Sequence, residues 1–328
     1  MEGETSKRLA TLVGCNYVGT RYELRGCIND VDAVRAALVA RFGFAPGDVA
    51  VLTDGDGRGA EVLPTGANIR RALADMVARA APGDVLFFHY SGHGTLVPPR
   101  HGDGGAEEEA IVPTDFNLIT DVDFRQLVDR VPPGASFTIV SDWCHSGGLI
   151  DQEKEQIGPS AGSGPGAPSA RTARFLPYGA LLGPPLRRPG STQIEARGHC
   201  QRDPATSNQR GHSQYKNKLD LGLFERLRVS SSASCLSLET ELLVIIKFGK
   251  ACGAFSSAVQ SVLAAHPAPL SNRELVAKAR AVLEEQGFEQ HPCLYCTDAN
   301  AEAPFLSQDK KEETAVGAAS PAMSPALL

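Results

Sequence analysis

Hydrophobic positions in the first half of the chain fall into two alternating rhythms. Residues 8–16 (RLATLVGCN), 48–53 (DVAVLT), 84–90 (DVLFFHY) and 136–141 (SFTIVS) are short, nearly continuous apolar runs. Turn formers such as Pro82-Gly83 and Pro132-Pro133-Gly134 introduce two of them. Runs of this length predict strands buried on both faces. Between them the spacing changes to three and four. Val31, Val34, Ala37 and Leu38 predict a helix over 30–41, and Ile69, Leu73, Met76 and Val77 predict another over 65–80. A short helix is predicted over 121–128. Strands separated by helices imply an α/β fold with a mostly parallel central sheet flanked by helices.

From about residue 158 the periodicity fades. Residues 158–217 are rich in Gly, Pro, Ser and Arg and read as a long connector. Rhythm returns at 241–248 (ELLVIIKF), a predicted buried strand. Helices are predicted over 253–264 and 272–286, the second capped by Ser271 with Glu274 three residues on. A last strand is predicted over 291–297. The expected organisation is a large catalytic region at 1–157, a flexible and partly irregular linker at 158–240, a small region at 241–307 that completes the sheet, and a disordered tail at 308–328.

Composition narrows the function. The 328 residues carry a formal charge of −6, which speaks against nucleic-acid or anionic-membrane partners. No apolar run approaches the ~20 residues needed to cross a bilayer. No secretory pattern opens the chain, so a reducing, cytoplasmic setting is expected. Eight scattered cysteines do not make a disulfide framework. Cys293-x-x-Cys296 reads as alternation along the last strand, with redox or metal chemistry as the other reading.

Candidate chemistry sits where two predicted strands end. Ser91-Gly92-His93-Gly94-Thr95 follows the third, and Asp142-Trp143-Cys144-His145-Ser146-Gly147-Gly148 follows the fourth. Ligands of open α/β sheets bind beyond the carboxyl ends of the strands, so parallel neighbours would bring His93 and Cys144 to one edge. A thiol needs a base to become a thiolate at neutral pH, and imidazole has a suitable pKa. The pair predicts acyl transfer, with Cys144 as nucleophile and His93 as proton carrier. Backbone N–H groups at Gly92, Gly94 and Cys144 are candidate oxyanion donors. Singly, the cysteine also reads as a buried small hydrophobe and the histidine as a turn residue. The combination carries the signal.

These two segments resemble the metacaspases, members of the caspase-like clan of cysteine peptidases. The separation of His93 and Cys144 agrees with the roughly 50 residues seen in caspases. Leu24-Arg25-Gly26-Cys27-Ile28-Asn29-Asp30-Val31, Pro113-Thr114-Asp115, Asn117-Leu118-Ile119-Thr120-Asp121 and Gln286-Gly287-Phe288 look similar as well. The resemblance covers about 7–160 and 254–306. It shows no zinc-finger prodomain, and its long linker is most like the plant-type, type II branch.

The resemblance implies a caspase-like three-layer sandwich and an endopeptidase that cuts protein or peptide substrates after Arg or Lys. Its acidic specificity pocket would comprise Asp30 and Asp142, with Cys27 and Ser91 beside them. Two carboxylates there would hold a guanidinium through charge-assisted bonds. From the residues alone, Asp30 also reads as a helix N-cap and Asp142 as a group orienting His145. The resemblance further implies calcium activation, with Glu108, Asp121, Asp123 and Asp151 as the matching acids. A solvated acidic loop at 107–109 is the plainer reading of Glu108. No organic cofactor is implied, and a monomer is expected. A zymogen of this branch cuts itself after a basic linker residue, and the candidates include Arg171, Arg174, Arg187, Arg188, Lys216 and Lys218. Its two fragments then stay associated.

Residues 230–252 depart from the family pattern. The expectation is an irregular region, or a core strand replaced by 242–248. That departure supports an alternative: an inactive scaffold or regulatory binding protein. A legumain-like enzyme cutting after Asn is a further alternative, opposed by the acidic pocket. No third residue orienting His93 is assignable.

Overall fold

The computed structural model describes residues 6–55, 62–98, 107–142, 155–158, 174–181, 227–233, 244–247, 250–288 and 291–306. The first half runs β1 (Arg8–Gly14), α1 (Cys27–Phe42), β2 (Val49–Thr53), α2 (Gly66–Ala78), β3 (Val85–Ser91), β4 (Gly94–Val97), β5 (Glu108–Ile111), β6 (Ile119–Thr120), α3 (Asp121–Val128) and β7 (Ser136–Asp142). The second half adds β8 (Glu155–Ile157), α4 (Tyr178–Leu181), β9 (Leu227–Ala233), β10 (Val244–Lys247), β11 (Lys250–Gly253), α5 (Ala254–Ala265), α6 (Asn272–Glu285), β12 (His291–Cys296) and α7 (Asp298–Glu302).

Seven strands form one sheet in the order β2-β1-β3-β7-β9-β12-β8. The first five run parallel, and β12 is antiparallel to both its neighbours. Every residue of β3 is buried, as its continuous apolar run requires of a parallel strand covered on both faces. One face packs Leu86, Phe88, Phe137 and Ile139 against Ile69 and Leu73 of α2 and Phe124 of α3. The other packs Leu12, Phe87 and Val140 against Val31 of α1, Phe255 of α5 and Leu275 of α6. The result is the three-layer sandwich expected. Among the described residues no helix is long and apolar enough to cross a membrane.

The predicted strands and helices of the first half appear within a few residues of their expected ends. Helix α1 starts earlier than expected, because Gly26 rather than Asp30 is its N-cap. Helix α6 carries the predicted capping box of Ser271 and Glu274. Cys293 and Cys296 are buried on β12, in keeping with the strand reading.

The second half departs in one place. The strand beside β7 is β9, which lies inside the stretch read as irregular linker. Residues 244–247, expected to enter the sheet, instead form an antiparallel hairpin with β11 outside it.

Candidate active site

Strands β3 and β7 are parallel neighbours in register, with Ser91 opposite Asp142 at their carboxyl ends. They therefore end level, on the sheet edge where the sequence placed the chemistry. His93 follows β3 by two residues. Cys144 follows β7 by two, and lies outside the described residues, as does His145.

The His93 side chain is buried, and its Nε2 is 2.8 Å from the carbonyl oxygen of Tyr22. A carbonyl only accepts, so Nε2 carries the proton and Nδ1 holds the lone pair. Nδ1 is buried and has no hydrogen-bond partner among the described residues. Burial lowers the imidazole pKa to about 4, against the opposing pull of the Tyr22 and Arg174 backbones. At neutral pH the ring is thus uncharged, with the Nδ1 lone pair available for a proton. The carbonyl of Tyr22 is the third orienting group that the sequence did not reveal.

Beside His93 lies a closed acidic pocket. Asp30, in the first turn of α1, is wholly buried. Its Oδ1 accepts the Gly253 N–H at 2.8 Å and its Oδ2 accepts the Ser91 hydroxyl at 2.9 Å. These bonds replace the N-cap role that Asp30 does not have. Oδ2 of Asp142, at the end of β7, accepts the Ser256 hydroxyl at 2.9 Å. Gly253 and Ser256 come from β11 and the start of α5, so the atypical 230–252 region leads directly into the pocket wall. Cys27 opens α1 behind Asp30, and burial pushes its thiol up to about 12 while Arg174 opposes the rise.

A guanidinium fills this pocket. Arg174 Nη1 lies 3.0 Å from Asp142 Oδ2 and donates to the Asp142 carbonyl at 2.8 Å and the Ser91 hydroxyl at 3.1 Å. Its Nη2 reaches Asp30 Oδ2 at 3.4 Å. Burial raises the Asp30 carboxyl to about 6, with Arg174 acting against the rise and Asp142 adding to it. A Cβ on Gly253 would lie 2.5 Å from Asp142 Oδ2 and 2.8 Å from both Arg174 Nη2 and Asp30 Oδ2. Only a glycine leaves room for the arginine there.

The backbone of Arg174 is held as firmly as its side chain. Gly94 donates its N–H to the Arg174 carbonyl at 2.9 Å, and the Gly94 carbonyl accepts the Leu176 N–H at 2.9 Å. These two bonds form a parallel bridge between Gly94 and Phe175. Gly92 packs beneath the hydroxyls of Tyr90 and Tyr17. Downstream, Leu176 is buried in the core and Ala180 accepts the Tyr22 hydroxyl at 2.9 Å.

Of the four acids expected to bind calcium, three lie among the described residues. Asp151 lies outside the described residues. Asp123 is engaged: its Oδ2 accepts the Thr120 N–H in a capping box and pairs with Arg70 at 2.8 Å. Oδ1 of Asp121 accepts the Val122 N–H at 2.6 Å, and Glu108 opens β5. Among the described residues no three His, Cys, Asp or Glu side chains converge on a metal-sized site. A calcium cage there would need Asp151 beside Glu108 and Asp121.

Comparison with known proteins gives the family. The family model of the metacaspase, peptidase C14 domain matches residues 8–153. Metacaspase-9 of Arabidopsis thaliana is 48% identical over 323 residues, covering 94% of this chain and 99% of that protein. Metacaspase-6 of the same plant is 35% identical over 366 residues, covering 90% and 99%. A crystal structure of a Geobacter sulfurreducens protein superposes with a TM-score of 0.55 at 19% identity, covering 90% of this chain and 97% of that one. With a caspase-like sandwich, a histidine base at the carboxyl edge and relatives of this extent among plant proteins, the chain belongs to the metacaspase family of cysteine peptidases.

Proposed function

We propose that this peptidase cleaves after Arg or Lys, and that its own Arg174–Phe175 bond is a substrate. The observation carrying this is the pose of Arg174: guanidinium against two buried carboxylates, carbonyl on the Gly94 N–H, both beside His93. An arginine held by its guanidinium and its carbonyl in that way is what a bound substrate residue looks like. Of the basic linker residues, Arg174 is the one this geometry favours.

The chemistry follows from the residues. His93 Nδ1 takes the proton of the Cys144 thiol, and the sulfur attacks the Arg174 carbonyl carbon. The oxygen that becomes negative is the one on the Gly94 N–H. Nδ1 then gives its proton to the Phe175 nitrogen, the C–N bond breaks, and a thioester remains. A water loses a proton to Nδ1 and attacks the thioester. The Arg174 carboxylate forms, and the proton returns to sulfur. Substrates in trans would present Arg or Lys to the same carboxylates once Arg174 leaves.

Calcium activation, a cytoplasmic setting and a monomeric chain complete the proposal. Its calcium site would draw on Asp151 with Glu108 and Asp121. The buried free cysteines support a reducing setting. The test is fragment mapping of the purified chain beside its Cys144→Ala variant, together with turnover of peptides ending in Arg, Lys, Asn or Asp. A new amino terminus at Phe175 and preference for the basic peptides are expected. An intact chain that is fully active, or a terminus elsewhere, removes the assignment of Arg174.

A further inference from the structure

We propose that Tyr17, anchored by Asp54, is a positioning residue that fixes both the peptide and the ring of His93. The inference rests on the reading of His93 as the base. Tyr17 follows β1 and is buried, with φ of 51°, in the left-handed region that bulky residues rarely adopt. Asp54, buried just beyond β2, holds that turn. Its carboxylate accepts the Asn16 N–H at 2.6 Å with one oxygen and the Tyr17 N–H with the other. Backbone strain of this kind persists where the surroundings over-determine it, and it clusters at functional sites.

What the turn delivers is specific. The Tyr17 hydroxyl accepts the N–H of His93 at 2.9 Å and donates to the Val112 carbonyl at 2.5 Å. Tyr90, whose hydroxyl lies 3.1 Å from that of Tyr17, donates to the His93 carbonyl at 2.7 Å. The Val112 N–H reaches the same carbonyl at 3.0 Å. Each hydroxyl has one proton, and these assignments use both. The ring of Tyr17 lies 4.8 Å from the imidazole, tilted by 40°. A Cβ on Gly92 would meet the two hydroxyls at 2.5 and 3.0 Å, so the chain entering His93 is pressed against them.

A buried tyrosine needs a partner for its hydroxyl, and any carbonyl would serve for stability. Here the hydroxyls of Tyr17 and Tyr90 hold the N–H and the carbonyl of the base itself. With Nε2 held by Tyr22, the direction of Nδ1 is then set from three sides. Arg174 is the charged group facing the imidazole. Among the described residues Tyr17 and Tyr90 stand behind it, with Cys15 against both tyrosines, and burial raises all three well above their ordinary values.

The experiment uses the full chain and an Arg-ending fluorogenic peptide. Active sites are counted with an irreversible Arg-directed thiol reagent. Tyr17→Phe keeps the ring and loses the bond to the His93 N–H. It is expected to lower kcat per titrated site by about tenfold or more, since small misplacement of a reacting group is costly. KM should stay within about twofold, because the acidic pocket is untouched. The acid limb set by His93 should move up from about 4 as the loosened ring regains water. Asp54→Asn should change kcat in the same direction by less, and it decides the matter if Tyr17→Phe yields too few sites to measure. Loss of melting temperature with unchanged kcat per site and unchanged pH profile overturns the proposal and leaves Tyr17 a packing residue. Wild-type chain that ignores the peptide, or that works unchanged as His93→Ala, overturns the underlying reading of His93.

Discussion

Gly253 is where the pocket is tightest, and its replacement separates specificity from folding. Its N–H serves Asp30 and its missing Cβ leaves space for Arg174. Gly253→Ala is expected to raise KM for an Arg peptide by about tenfold or more, because the charge-assisted bonds lengthen, with melting little changed. Equal KM for both proteins would mean that substrate arginine binds elsewhere. The pH response of the same pocket has a definite sign. Asp30 stands at about 6 with Arg174 pulling it down, so emptying the pocket moves it higher. An incoming arginine prefers the ionised form, and its affinity falls as pH drops through that value, by at most about tenfold per unit. KM should therefore rise as pH is lowered from the empty pocket's value towards about 6 and level off below it, while His93 stays neutral until about 4. A flat KM over that span would remove Asp30 from substrate binding. His93 stood out in the sequence because it follows a strand end between glycines, while Ser91, Asp30 and Asp142 came only from the resemblance to the metacaspases. Gly253, Ser256 and the Tyr22 carbonyl did not stand out, and Arg174 was one among several basic linker residues with nothing to single it out. Their residue types are common, and the fold brings them from up to 223 positions away.

At the scale of elements, apolar rhythm revealed the strands that are buried on both faces and missed the one that lacks it. Leu227–Ala233 has three serines in succession, so neither alternation nor a continuous apolar run marks it, yet its backbone pairs with β7 on one side and β12 on the other. Residues 244–247 have the rhythm and form only a two-stranded hairpin. Proline substitution distinguishes the two. Val229 lies opposite Ile139 and Tyr295, inside the sheet, and Val229→Pro removes a ladder donor there at a cost of about 3 kcal/mol or more. Ile245→Pro in the hairpin should cost clearly less. The reverse order in denaturant titrations would put 244–247 in the sheet instead. Helix α3 shows a different kind of legibility: its span was predicted, and one of its acids also has a local structural use. Asp123 closes a capping box, so Asp123→Ala should cost about 1 kcal/mol of stability. The calcium midpoint of activity should stay where it is. A shift of that midpoint would make Asp123 a calcium ligand after all.

At the scale of the whole molecule, cutting after Arg174 divides the chain but not the fold. Strands β1, β2, β3, β7 and β8 lie before that bond, and β9 and β12 lie after it. The sheet order interleaves the two sets: β9 lies against β7, and β12 lies between β9 and β8. One face of the sheet is covered jointly, since α1 comes from the first fragment and α5 and α6 from the second. Separation would expose the side chains of Phe87, Val140, Phe255 and Leu275 together, and each such side chain contributes about 1.5–3 kcal/mol through burial. Self-cleaved protein should therefore elute from a sizing column at the volume of the intact chain, show two bands under denaturing conditions, and keep its activity on dilution. The new Phe175 end should also stay in place, because Leu176 is buried and the Tyr22 hydroxyl holds Ala180. Fragments that part on dilution without denaturant would contradict a sheet shared across the cut. If they stayed together but Phe175 became rapidly accessible to amine labelling, only the downstream anchoring would fail, and the interleaved sheet would stand.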